Sequence, residues 1–105
     1  MPWNDPNVST AAIVAFHICA GTWQVDAAPT PRQQRWSKRF EFDKEFTQNP
    51  TVIVAWTYVD ADKGTNLRFA VSAEGVDPKG FTGIGAIWGD TKMYGWAMTW
   101  TAFGI

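Results

Sequence analysis

The chain contains one cysteine and one histidine. A single cysteine, Cys19, excludes a disulfide within the chain. One histidine, His17, and one cysteine exclude a clustered zinc site of the usual kind. A Ser-His-Asp arrangement would have to use His17, and no nucleophile motif accompanies it. Charge is sparse and nearly balanced, with nine Lys plus Arg against ten Asp plus Glu and a net charge of −1. That balance gives no global pull toward nucleic acid or an anionic membrane. No run approaches 18 consecutive apolar residues, so no membrane-spanning helix is expected. The N-terminal stretch, Met1-Pro2-Trp3-Asn4-Asp5-Pro6, has no basic start. It is therefore not expected to act as a signal peptide, although Ala11–Ala20 is apolar. The expected location is the cytoplasm, or the exterior by a nonclassical route.

Aromatic residues are abundant: they make up 15% of 105 residues, and seven of them are tryptophan. A chain of this size buries roughly 60–70% of its unfolded surface, enough for one core. The apolar content excludes intrinsic disorder as the default.

The spacing of apolar residues is mostly two. Tyr94, Trp96, Met98, Trp100 and Ala102 fall on one face of a strand; Gly95, Ala97, Thr99, Thr101 and Phe103 fall on the other. Leu67, Phe69, Val71 and Ala73 alternate with Arg68, Ala70, Ser72 and Glu74. This places Arg68 on the polar side of a half-buried strand. Phe40, Phe42 and Phe46 lie among Arg39, Glu41, Asp43 and Glu45. Thr51 to Val59 is nearly continuous in apolar, β-branched and aromatic residues, the pattern of a central strand buried on both faces. Asn49-Pro50, Asp60–Asn66 and Gly89-Asp90 punctuate these runs, and Asp77-Pro78-Lys79-Gly80 is a turn sequence. Strands are predicted at 18–25, 36–46, 51–59, 66–75, 81–88 and 92–103. The fold class is all-β, a six-stranded antiparallel β-sandwich. Residues 1–17 read as an N-terminal arm, either a short helix capped by Ser9-Thr10 or an extra strand, with the domain proper at 18–105. Ala27–Arg35, with two prolines, reads as a loop.

No single side chain announces chemistry. Arg68 alone reads equally as a solvated arginine, Trp88 as a core cover and Tyr94 as an edge tyrosine. Their order is more informative. Asn66-Leu67-Arg68, Val76-Asp77-Pro78-Lys79-Gly80-Phe81 and Trp88-x-x-Thr91-Lys92-x-Tyr94, closed by Met98-Thr99-Trp100, follow one another in a stretch that opens at Phe46. This series resembles the H-type lectin family, the family of the snail agglutinins and of the discoidin C-terminal domain.

The resemblance implies a homotrimer and a non-enzymatic function. It implies binding of galactose- or N-acetylgalactosamine-containing glycans or glycoproteins near the subunit boundaries. The implied roles are adhesion, recognition or defence, without a cofactor. By that resemblance Arg68 binds sugar hydroxyls, Trp88 lies against the sugar ring, Gly89 occupies a position that often contacts ligand, and Tyr94 closes the site. The chemistry suits a galactose-type sugar: an aromatic ring covers its C–H face and an arginine fork donates to its hydroxyls. The family's acceptor is an aspartate in the loop before the second strand. Ungapped counting puts that position near Thr30-Pro31, so the candidates are Asp26, the nearest acid, and Asp90 in the Trp88 turn. The structural cysteines of secreted members are replaced by Thr47 and Gly85, which fits a reducing compartment. The competing reading is a structural or adhesive trimer module whose sugar site has degenerated. Paired carboxylates, a nucleophile elbow and a phosphate loop are all missing, so an enzyme is not expected.

Overall fold

The computed structural model describes residues 16–26 and 33–105. Six strands follow in chain order: β1 (His17–Val25), β2 (Arg35–Glu41), β3 (Thr51–Ala61), β4 (Phe69–Asp77), β5 (Gly80–Ile87) and β6 (Met93–Gly104). They form two antiparallel three-stranded sheets, ordered β1-β6-β3 and β2-β5-β4. The six strands and antiparallel architecture expected from the period-two pattern are present. The expected arm at 1–17 and loop at 27–35 lie largely outside the described residues. His17 opens β1.

From Trp96 to Ala102 the even-numbered residues of β6 face inward, as their alternation predicts; at the strand's start an irregularity in the pairing with β3 puts Met93, not Tyr94, in the core. Trp96, Met98 and Ala102 are fully buried and Trp100 nearly so. Trp96 packs edge-on against Trp23 of its own sheet at 4.7 Å and against Trp36 of the opposite sheet at 5.8 Å. Trp100 meets Phe81 at 5.1 Å. These offset and edge-to-face contacts let aromatic rings fill the interior without stacking squarely. Small residues in neighbouring strands make room for the indoles. A Cβ on Gly85 would lie 2.5 Å from Trp96, and one on Gly21 would lie 2.7 Å from Trp100.

Three differences from the sequence-based expectation matter for the site. β3 is an edge strand, not a central one; β6 takes the centre and pairs with both β1 and β3. Apolar residues continue along β3 because its outward face is apolar too, with Ile53 exposed. β2 ends at Glu41, and Phe42 and Phe46 enter the core from the following segment. Their amides donate to the carbonyls of Lys79 and Pro78 in the β4–β5 turn. Finally, β4 starts at Phe69, so Arg68 precedes the strand rather than lying on it.

The outward faces of the two sheets differ in character. On the β2-β5-β4 sheet, Arg35 pairs with Glu74 at 3.4 Å and Arg39 with Asp77 at 2.7 Å, both across β5. On the β1-β6-β3 sheet, the outward residues from Ile18 to Gln24, Ala97 to Phe103 and Thr51 to Tyr58 include no charged side chain. Ile18 is 63% exposed and Ile53 55% exposed there.

Candidate functional site

Arg68 stands where the 62–68 loop enters β4, and Trp88 stands where β5 runs into the next turn. One buried hydroxyl joins these segments. Thr91 Oγ1 donates to the carbonyl of Asn66 at 2.5 Å and accepts from the amide of Arg68 at 2.8 Å. The Trp88 amide donates to the carbonyl of Arg68 at 3.3 Å. Arg68 is therefore held at both its backbone N–H and its C=O. The Trp88–Arg68 bond continues the β4–β5 register by one pair, while the Arg68 N–H turns to Thr91.

The Arg68 side chain crosses Gly89. Gly89 has φ +68, in the left-handed region where glycine is strain-free. A Cβ at Gly89 would approach Arg68 Cδ to 3.1 Å and Nε to 3.4 Å. The arginine is exposed, and it forms no ion pair among the described residues. The neighbouring Trp88 indole is 47% exposed. The site thus presents an exposed arginine lying across Gly89 and, next in the chain to Gly89, an indole about half exposed.

The acids around it are engaged. The Asp90 carboxylate accepts from the Asn66 amide and from Asn66 Nδ2, both at 3.4 Å. Asp62 Oδ1 accepts from the Gly64 amide at 2.7 Å, and Asp62 Oδ2 accepts from the Tyr94 hydroxyl at 2.9 Å. The Gly64 N–H, then the Tyr94 hydroxyl, hold the Asp62 carboxyl below the usual carboxylate range. The same contact with Asp62 pushes the Tyr94 phenol up. The Asp62 amide donates to the carbonyl of Lys92, fastening the loop to the start of β6.

Four of the six expected site residues therefore meet in one place: Arg68, Trp88, Gly89 and Asp90. Tyr94 joins through Asp62, with its hydroxyl already committed. Asp26 follows β1 and accepts from Gln24 Nε2 at 3.5 Å, and no hydrogen bond links it to these four among the described residues. Asn66 and Thr91, motif residues to which the sequence reading gave no role, and Asp62 form the scaffold. Their signal was faint: a threonine in the x-x-Thr step after Trp88, beside a strand start. No group of three or more metal-ligating side chains occurs among the described residues.

Residues 37–103 match the model of the H-type lectin domain. The chain belongs to the H-type lectin family. The lectin match starts within β2 and includes Arg68 and the Trp88–Tyr94 turn, but not β1 or Asp26. Discoidin II of Dictyostelium discoideum has a similar fold, with a TM-score of 0.74 at 19% identity. That likeness covers 85% of the lectin chain and 37% of discoidin II. An R1-type pyocin tail fibre shares the fold more distantly, with a TM-score of 0.52, 14% identity, and coverage of 82% of this chain and 70% of the fibre chain. In sequence, the lectin is 35% identical over 91 residues to the "ATP synthase subunits region ORF 7" of Fuscovulum blasticum, covering 87% of this chain and 77% of that one. A carbohydrate-binding role is supported by the family.

Proposed function

We propose that the protein is a non-catalytic lectin that binds galactose- or N-acetylgalactosamine-type glycans, with Arg68 and Trp88 as the principal contacts. The observation that carries this reading is the tethering of Arg68. Its backbone is fixed on both sides, it has no counter-ion among the described residues, and the half-exposed Trp88 is bound to its carbonyl. A sugar's C–H face fits the indole, and the guanidinium donates to its ring hydroxyls. Asp90 and Tyr94 complete the turn on this reading, and Gly89 leaves room for the Arg68 side chain to lie across it.

The reading includes a homotrimer. The uncharged outward face of the β1-β6-β3 sheet supports it, since the opposite sheet keeps its ion pairs in solvent. Such a face suits burial against copies of the same chain. Asp26, just after β1, then supplies an acceptor at the subunit boundary. On this reading the protein acts in adhesion, recognition or defence, in the cytoplasm or after nonclassical export.

Titration calorimetry with galactose and N-acetylgalactosamine, on wild type and Arg68→Ala, tests the site. The expected result is binding by wild type and none by the variant. Equal binding by both would refute it. Sedimentation equilibrium tests the assembly, with about three times the 11.7 kDa chain mass expected and a monomer refuting it. The second reading, an adhesive module with a degenerate site, draws on the Tyr94 hydroxyl being bound to Asp62 and on Gly89 offering only backbone. A glycan array without hits would favour it.

A further inference from the structure

We propose that the groove beside Trp56 is a second saccharide subsite, which holds the next sugar residue of a glycan whose galactose-type residue sits at Arg68. The proposal rests on the carbohydrate-binding reading above and adds the length of the ligand.

The groove follows the edge strand β3 into the loop after it. Its volume is about 580 Å³, and Trp56, Tyr58, Asp62, Lys63, Thr65 and Leu67 are among its lining residues. That volume lies within the roughly 300–1,000 Å³ of small-molecule sites.

An irregularity in β3 builds the aromatic walls. Trp56 pairs with Met98 and Tyr58 with Ala97, so Thr57 is an extra residue in β3. Residues two apart in a regular strand share a face; the extra residue sends Trp56 and Tyr58 to opposite faces. Trp56 points inward and meets Phe69 of β4 edge-on at 5.5 Å. Phe69 meets the core indole of Trp96 at 5.3 Å. Tyr58 lies over Gly95, where a Cβ would come to 3.4 Å from Tyr58 Cε1. Each ring is packed on one side, yet both remain about half exposed, as does Leu67. A half-exposed indole anchored in this way suits the C–H face of a sugar.

The polar part of the lining sets the class of occupant. One acid, Asp62, and one base, Lys63, cancel. That balance favours a neutral, hydroxyl-rich ligand over an ionic one. Hydroxyls find donors in Lys63 and acceptors in the lone pairs that Asp62 keeps beyond its bonds to Gly64 and Tyr94. The loop from Asp62 to Arg68 belongs to both sites. Leu67 lines the groove and is next in the chain to Arg68, about 3.8 Å away between Cα atoms. One short glycan can therefore engage both.

Calorimetric titration should compare methyl galactoside, lactose and melibiose. The two disaccharides carry their second sugar on the β and the α side of galactose respectively. At least one should bind about three- to tenfold tighter than methyl galactoside, the ratio that one aromatic contact supplies. Trp56→Ala should remove that gain and leave methyl galactoside binding unchanged. Trp56→Phe, which keeps a ring against Phe69, should fold as wild type and retain part of the gain. In NMR spectra the Trp56 indole N–H, identified by its loss in Trp56→Phe, should shift with the tighter disaccharide and stay in place with methyl galactoside. Equal binding of the three ligands by wild type overturns the proposal, and so does a gain that survives Trp56→Ala. Sedimentation equilibrium of Trp56→Ala should match wild type; a lower assembly mass would make the groove a contact between copies and overturn the subsite. Each of these results leaves the lectin reading intact as long as methyl galactoside binds. Failure of all three ligands to bind removes the lectin reading itself.

Discussion

Replacing Thr91 with valine keeps the shape of the side chain and deletes the hydroxyl that joins Asn66 to Arg68. Thr91 is 9% exposed, so the pair of hydrogen bonds is largely shielded from solvent. The amide of Arg68 would lose its acceptor, a deficit worth about 1–3 kcal/mol for a shielded donor. The carbonyl of Asn66 would lose a donor, but Asn66 is exposed and water can replace it, so its share is at most about 1 kcal/mol. Together the loss should be about 2–3 kcal/mol, which lowers Tm by roughly 8–24 °C at 4–8 °C per kcal/mol for a small domain. Thr91→Ser retains both bonds and loses one methyl, at a cost of about 0.8 kcal/mol. The assay is thermal unfolding of the three proteins at one fixed concentration, because Tm depends on concentration for any protein that self-associates. Glycan titration of the same proteins should show weaker binding for valine and near-normal binding for serine. If valine and serine melt within about 0.5 kcal/mol of each other, the hydroxyl does not hold the two segments together.

Arg68→Ala should melt within about 0.5 kcal/mol of wild type, as expected for an exposed side chain away from core features; a large drop in a thermal scan would place the arginine in the folding machinery. Tyr94→Phe should raise the Asp62 carboxyl toward its ordinary value without fully restoring it, because the Gly64 N–H still lowers it. Since the folded carboxyl is depressed, its stabilising contribution is complete above the unfolded carboxylate value and fades as pH falls through the folded one; NMR titration of the side-chain carboxyl checks the shift, and an unmoved midpoint refutes it. Gly85→Ala should destabilise by about 1–3 kcal/mol through overpacking against Trp96, measured by urea unfolding. Dithiothreitol should leave Tm unchanged, because Cys19 packs partly against the core and has no partner within the chain; a marked fall would reveal subunits cross-linked through it.

Much of this architecture is legible in the residue order. The alternation in β6 predicts its inward tryptophans, and Asp77-Pro78-Lys79-Gly80 makes the turn its composition suggests, with Asp77 Oδ1 accepting from the amides of Lys79 and Gly80. The placement of β3 is misread from sequence for a physical reason. An apolar outward face looks the same whether a second sheet or another copy covers it. Arg68 is read as a strand residue because alternation continues through Leu67, yet the Thr91 hydroxyl captures its amide before the sheet can. Such a long-range side-chain bond has no periodic signature. The pairing of Asp62 with Tyr94 is hidden likewise, since two residues 32 apart carry no local trace of their meeting.

The position of β6 at the centre of its sheet has a consequence for the order of folding. β1 and β3 pair with β6 but not with each other, and β6 is the last of the six strands in chain order. During synthesis, β2, β4 and β5 can close their sheet while β1 and β3 still wait for the strand between them. Until β6 emerges, the inner face of the finished sheet, with Trp36 and Phe81, has no lid. Nearly all of the closing contacts span long stretches of chain, which slows folding and prolongs the life of that open face. The nascent chain should therefore bind a hydrophobic-surface chaperone when stalled before Met93 and release it once Gly104 is clear of the ribosome.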